Sequence, residues 1–134
     1  MNRKDLQDKL LNDFPRLYMQ YSWNKRDSCM PYGFPNVPWW FDILYKLSQD
    51  LEAEFQKLPD NIKKHAAKNG IFAASQVKQK FGRLRFHMDH PTPEMRTIIS
   101  AAEGASCAAC FICGADGKQR NMSVYCSEHG PDDL

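Results

Sequence analysis

Two pairs of metal-binding residue types lie near the end of the chain, at a spacing that suits one tetrahedral ion. Cys110 and Cys113 form the first pair, and Cys126 and His129 form the second, in the pattern C-x2-C-x12-C-x2-H. A two-residue gap lets both side chains of a pair reach one ion, and thiolates with an imidazole are ligands that Zn²⁺ prefers. The spacing therefore predicts a zinc site. Because four protein ligands leave no position for a reacting water, we expect the metal to be structural.

Cys107 introduces an alternative metal. With Cys110 and Cys113 it forms C-x2-C-x2-C, which is how an iron–sulfur run of the ferredoxin type begins. That run places its fourth cysteine about three residues further on, whereas this chain has Gly117 there, so that only Cys126 could complete a four-thiolate set. Zinc is the favoured interpretation, and Cys107 is not assigned as a ligand.

Two glycines are consistent with a zinc knuckle. Gly114 directly follows the second cysteine, where a knuckle backbone turns with positive φ. Asp116-Gly117 lies between the two ligand pairs and is expected to form a hairpin turn.

A strongly basic window occupies the middle of the chain, although the net charge is only +2. No acidic residue occurs between Asp60 and Asp89. The cationic side chains of this window are Lys63, Lys64, Lys68, Lys78, Lys80, Arg83 and Arg85. Such an excess creates a positive patch even on a nearly neutral protein.

The last four of these cations alternate with apolar residues, first before and then after Gly82. A period of two predicts two half-buried strands, and the glycine suggests a bulge or tight turn that keeps the basic side chains on one face. We expect Phe81 and Phe86 to point inward. This face, carrying Lys78, Lys80, Arg83 and Arg85, is either simply solvated or contacts phosphates or an acidic protein surface. Because nucleic-acid binders usually interleave exposed aromatic residues with cations, an acidic protein is slightly preferred.

Aromatic residues are also concentrated between residues 31 and 40, a segment with three prolines. Tyr32, Phe34, Trp39 and Trp40 either pack onto the core or form a contact surface for a partner, and Tyr32, Phe34 and Trp39 are the candidates for contact.

His87, Asp89 and His90 offer a third kind of chemistry, since two imidazoles and a carboxylate can bind a catalytic metal. On a strand ending near Met88, however, these side chains should diverge. No glycine-rich phosphate loop, nucleophile elbow or spaced acid pair occurs elsewhere, so a metal-dependent hydrolase is the weaker alternative to a non-enzymatic protein.

The length of 134 residues suits about one domain, and 43% hydrophobic residues suffice for a core. The order of patterns, helices then strands then a helix, predicts an α+β fold: a helical core with a short antiparallel sheet or hairpin and a zinc-ribbon or treble-clef-like knuckle. We expect residues 1–106 to form the core and residues 107–134 the knuckle packed on it. The charged start and the lack of a long apolar stretch predict a cytoplasmic protein in a bacterial host cell, where cysteines stay reduced.

Individual elements follow from periodicity and capping. Helices are predicted over 3–14, from Pro38 to Leu58, from Asp60 as cap through Lys68, and from Pro93 onward with Thr92 as cap. Gly70 is expected to end the third of these in the left-handed conformation.

Three blocks of the chain together resemble a family of small proteins encoded by phages and prophages. They are Trp40-Phe41-Asp42-Ile43-Leu44, the segment KxKFGxLRF within residues 76–86, and the CxxC…CxxH pattern described above. The family often has a Gly-Asp-Gly turn before the tryptophan, where this chain has Asn36-Val37-Pro38-Trp39. The resemblance implies a mobile-element origin and a zinc knuckle, and it brings no activity. It leads us to expect a protein that binds and modulates a host protein complex, such as a defence system. The alternative is a nucleic-acid-binding zinc protein that uses the basic strands over 78–87.

Overall fold

A computed structural model describes residues 3–35, 37–108, 110, 115, 117–120, 123–126 and 128. These residues form four α-helices and two antiparallel strand pairs. The α+β class predicted from the order of patterns is confirmed.

The helices are α1 (Arg3–Asp13), α2 (Phe41–Gln56), α3 (Asp60–Asn69) and α4 (Pro93–Ser106). Short 3₁₀ turns cover Met19–Ser22, Met30–Tyr32 and Pro38–Trp40. Pro38 therefore begins a separate turn rather than the long helix, which starts at Phe41. The predicted boundary between core and knuckle directly follows Ser106, the last residue of α4.

The helix ends largely match their predicted signals. Thr92 caps α4, because its Oγ1 accepts a hydrogen bond from the Met95 N–H at 3.2 Å. Gly70 ends α3 with φ of 73°, as expected. Asp60 is not the cap of α3: Pro59 occupies that position and Asp60 is the first helical residue.

Strands β1 (Ala74–Lys80) and β2 (Arg83–Met88) form a hairpin. Phe81 and Gly82 are the two turn residues, with φ of 55° and 73°. Positive φ at both positions is the type I′ geometry, whose twist matches that of the flanking strands. The predicted tight turn is confirmed, and a bulge lies near the start of β1, between Ala74 and Gln76.

The second strand pair is β3 (Lys118–Arg120) with β4 (Ser123–Tyr125). The register pairs Lys118 with Tyr125 and Arg120 with Ser123, so the chain reverses between residues 120 and 123. The hairpin turn predicted at Asp116-Gly117 includes Asp116, which lies outside the described residues, and Gly117 directly precedes β3.

The core lies between α2, α4 and the inner face of the β1–β2 hairpin. Trp40, Leu51 and Leu84 are completely buried there. Tyr18 is also buried, and its hydroxyl lies 2.6 Å from Ser48 Oγ. Ser48 donates its own proton to the Leu44 carbonyl at 2.7 Å, so Tyr18 is the donor to Ser48. None of the described helices combines the length and apolar character that crossing a bilayer demands.

Candidate binding surface and metal centre

The register of the β1–β2 hairpin places its cations on one face. Lys78 lies directly opposite Arg85, and Lys80 lies opposite Arg83. Residues that face each other across a ladder, or that lie two apart on one strand, project from the same side of the sheet. We call the side that carries Lys78, Lys80, Arg83 and Arg85 the basic face; His87, opposite Gln76, belongs to it too.

The cations of the basic face form no ion pair with any described residue. Six ion pairs join described side chains, and none of them includes a cation of the basic face. Each of the six involves a residue of an α-helix, as in the bidentate contact of Arg16 with Glu52. The hairpin cations therefore make no close ion pair in the described part of the fold, and Glu103 is the acidic side chain that lines the same groove as Lys78, Lys80 and Arg85.

Arg83 differs from the other three cations because its side chain turns toward the end of α4. Its Nη1 lies 3.8 Å from Cys107 Sγ. Its Nε is buried and has no hydrogen-bond acceptor among the described residues. Lys78, Lys80 and Arg85 instead line a groove of about 400 Å³ beside Glu103. These three are the cations best placed to meet a partner.

Phe81 does not point inward. It lies at the tip of the hairpin with 44% of its surface exposed, and Lys80 Nζ is 5.8 Å from its ring centroid. The inward prediction failed because Phe81 is a turn residue, so the strand alternation on which that prediction depended stops at Lys80. Phe86, by contrast, is buried as expected.

The aromatic segment divides into exposed and buried residues. Tyr32 is 66% exposed, and Lys25 Nζ lies 4.7 Å from its ring centroid. Phe34 is only 4% exposed and packs edge-on against Tyr18, with ring centroids 5.0 Å apart. Phe34 is therefore a core residue and not an exposed contact residue. Trp39 is half-buried against the core, which leaves Tyr32 as the exposed member of the three.

Two of the four predicted metal ligands are described, and both are buried. Cys110 is completely inaccessible and Cys126 is 7% exposed. Cys113 and His129 lie outside the described residues, as does Gly114.

Backbone pairing brings the segments of Cys110 and Cys126 side by side. The Cys110 N–H donates to the Ala115 carbonyl at 2.7 Å, and the Gly117 N–H donates to the Ala108 carbonyl at 2.9 Å. These two bonds pair the backbone at Ala108 and Cys110 with the backbone at Ala115 and Gly117. Cys126 directly follows Tyr125, the last residue of β4. Tyr125 pairs with Lys118, the first residue of β3, which directly follows Gly117. The ladder thus returns Cys126 to the neighbourhood of Gly117, which is paired with the backbone just before Cys110, and buried thiols there are suitable donors for Zn²⁺.

His87, Asp89 and His90 do not form a site. His87 is exposed on the basic face, while Asp89 Oδ2 accepts a hydrogen bond from Gln20 Nε2 at 2.6 Å. Within the described ranges, no three His, Cys, Asp or Glu side chains converge as metal ligands would.

Gln20 is a structural residue that the sequence reasoning missed. Its side chain is 1% exposed and donates to Asp89 and to the Gly70 carbonyl, while its Oε1 accepts from Ser28 Oγ at 2.7 Å. This network joins the first 3₁₀ turn to Gly70, which precedes β1, and to Asp89, which follows β2. A single glutamine in a polar turn carries no pattern that would have revealed it.

An apolar groove of about 520 Å³ also lies on the surface between α2 and α4. Ile43 and Leu47 line it from α2, and Ile98, Ala101 and Ala105 line it from α4. It contains none of the hairpin cations.

The chain matches no family model, no curated protein and no solved structure.

Proposed function

We propose that the protein is a non-enzymatic binding protein whose basic face contacts an acidic surface of a partner protein. The observation that carries this proposal is the cross-strand register, which sets Lys78 against Arg85 and Lys80 against Arg83. Like charges directly opposite each other destabilise a ladder, whereas opposite charges stabilise it. A face that is merely solvated gains nothing from two such pairs. A partner that supplies carboxylates offsets the repulsion, which makes the arrangement favourable in a complex.

The hairpin is also built to hold these cations in place. The outer edge of β2 is fixed to α4, because the Phe86 N–H donates to Glu103 Oε2 and the Leu84 N–H donates to Ser106 Oγ, both at 2.9 Å. The type I′ turn sets the register of the two strands. Since little ordering is needed on binding, more of the interaction energy is available as affinity.

The proposal includes a structural Zn²⁺ held by Cys110, Cys113, Cys126 and His129. Burial of the two described thiols at the base of adjacent backbone turns supports it. The metal would fix the segment that follows α4, next to the Cys107 thiol that Arg83 contacts. We expect one zinc per chain by elemental analysis, and the Cys29→Ser variant should keep it.

The family resemblance described above supplies the identity of the partner class. Proteins of mobile elements act inside a host, so the proposed partner is a host protein complex that this protein modulates, with defence systems as the leading class. This step rests on the resemblance and not on the geometry.

One observation favours a second candidate, a nucleic-acid-binding protein. Phe81 is exposed at the hairpin tip beside Lys80, and an aromatic ring next to cations is a stacking platform for a base. This ring is alone in that role on the described hairpin, whereas single-strand binders stack successive bases on several rings. The protein partner therefore remains the primary proposal.

Nuclease treatment separates the two candidates. The tagged protein is expressed in a bacterial host, the lysate is treated with nuclease, and bound material is identified by mass spectrometry. A stoichiometric protein that stays bound is the expected result. Material that is lost on nuclease treatment, with affinity falling by about 0.9 log units per phosphate contact for each log unit of salt, would instead establish the nucleic-acid function.

A further inference from the structure

The outer edge of β1 contains backbone groups that have no hydrogen-bond partner among the described residues, at Gln79, which is exposed, and at Val77, which is only 4% exposed but lines the groove described below. Phe86 and Leu84 direct their N–H groups away from β1, to α4. Their ladder partners, Val77 and Gln79, are therefore in non-hydrogen-bonded pairs. It follows that Val77 and Gln79 point their own N–H and C=O groups away from β2, to the outer edge of β1.

The neighbouring stretch of the same edge is covered. The Ala74 N–H donates to the Leu17 carbonyl at 2.8 Å, and the Ser75 carbonyl lies 3.3 Å from Ser28 Oγ, whose proton is directed to Gln20 Oε1. The outward backbone groups of Val77 and Gln79 make no hydrogen bond to any described residue. Proteins usually cover or blunt such edges, because an open edge is a template for another strand.

A groove of about 300 Å³ runs beside this open stretch. One wall is β1 from Gln76 to Gln79, and the other is the segment from Tyr32 to Pro35. The basic face borders the groove through Lys78, which lines both it and the groove beside Glu103.

We propose that β1 accepts an extended acidic segment of the partner protein as an additional strand, paired to the backbone of Val77 and Gln79. This inference rests on the proposed function and specifies how the partner is recognised. Main-chain hydrogen bonds supply affinity in this mode, and alternate side chains supply specificity.

The two sides of the added strand meet different surroundings. Side chains on one side join the basic face and should be acidic, because Lys78, Lys80 and Arg85 form no ion pair with a described residue. Side chains on the other side enter the groove near Tyr32 and Pro35 and should be apolar. The recognised segment therefore alternates acidic and apolar residues.

The test uses a fluorescent octapeptide in which glutamate alternates with valine, and a second peptide with the same composition arranged in two blocks. We expect the full-length protein to bind the alternating peptide at least about tenfold more tightly in anisotropy titrations. Absence of saturable binding of the alternating peptide, or equal binding of both peptides, overturns the proposal.

Two substitutions at one position isolate the backbone contribution. Gln79→Pro removes the outward N–H without affecting the β1–β2 ladder, and proline is tolerated on an edge strand. Gln79→Ala keeps the N–H and serves as the matched control, since both variants lose the bond from the Gly82 N–H to Gln79 Oε1. Gln79→Pro should weaken peptide binding about tenfold relative to Gln79→Ala. Equal affinities of the two variants overturn strand addition.

N-methylated peptides test the same idea on the unaltered protein. An added strand directs every second N–H to β1, so methylation of one set of nitrogens should abolish binding and methylation of the other set should not. Sensitivity at the valine nitrogens indicates antiparallel addition, because each then lies opposite Val77 or Gln79, and sensitivity at the glutamate nitrogens indicates parallel addition. Equal effects of both sets overturn the proposal.

The charge-reversed variant Lys78→Glu/Arg85→Glu distinguishes this inference from the function on which it rests. If charge reversal abolishes peptide binding while Gln79→Pro and Gln79→Ala behave alike, the acidic ligand stands and strand addition fails. If charge reversal has no effect on peptide binding, both the proposed function and strand addition are contradicted. Binding of a single-stranded oligonucleotide in place of the peptide also overturns both.

Discussion

Replacing Cys126 with serine should unfold the segment that follows α4 and leave the rest of the protein folded. Cys126 is the described member of the second predicted ligand pair, and serine keeps its size while removing the thiolate. A zinc site that loses one of four ligands is expected to lose most of its affinity.

The structure gives the magnitude of this effect. Strands β3 and β4 have only three residues each, and Val124 is the buried apolar residue described on them. Burying one valine contributes about 2 kcal/mol, which is comparable with the cost of ordering one or two residues. A two-stranded hairpin of this length is at best marginal in water. Structural zinc contributes about 10 to 16 kcal/mol in small fingers, so the proposed metal would decide whether this segment folds.

Amide hydrogen exchange with mass spectrometry is the assay, because it reports on each segment separately. We expect exchange to increase over residues 118–126 in the Cys126→Ser variant and in chelator-treated protein, and to stay unchanged over β1 and β2. The Cys29→Ser variant is the control and should match the unaltered protein. Protection of residues 118–126 that survives complete metal removal would refute the reasoning.

Three further substitutions test the fold. Burial raises the pKa of Tyr18 above its ordinary value of 10.0, so folding stability should be complete below about pH 10 and decline as the pH rises further. Tyr18→Phe should cost about 1 kcal/mol at neutral pH, through its lost bond to Ser48, and should reduce the alkaline decline when urea unfolding is compared at about pH 8 and about pH 11. Gly70→Ala should destabilise by about 2 kcal/mol or more, because φ is 73° and the new Cβ would lie 2.4 Å from the Trp23 ring. Gly104→Ala, in an open position on α4, should instead stabilise by about 0.5 to 1 kcal/mol; thermal unfolding that ranked the two glycine variants in the opposite order would contradict the structure.

The elements that local chemistry specifies were predictable. Thr92 with Pro93 marked the start of α4, and Gly70 marked the end of α3, because capping depends on a few neighbouring residues. The alternation around Gly82 indicated both strands and their turn. It also placed the cations on one face, since a two-residue turn preserves the register across the hairpin.

Features that depend on the exact position of a turn were not predictable. Phe81 was assigned to a strand although it is a turn residue, and a shift of one residue reverses the side of a sheet to which a side chain points. Phe34 lies in a proline-rich segment whose burial is set by its packing against Tyr18, a contact between residues distant in sequence.

Charge reversal of the basic face is the most direct test of the proposed function. Lys78→Glu/Arg85→Glu is compared with Lys64→Glu/Lys68→Glu, which changes net charge equally at exposed positions on α3. Each variant is tagged, and the protein partner captured after nuclease treatment is quantified by mass spectrometry at two salt concentrations. We expect the hairpin variant to capture at least about tenfold less partner than the unaltered protein, and the α3 variant to capture as much as the unaltered protein. Equal capture by the two variants would contradict the claim that the basic face binds the partner.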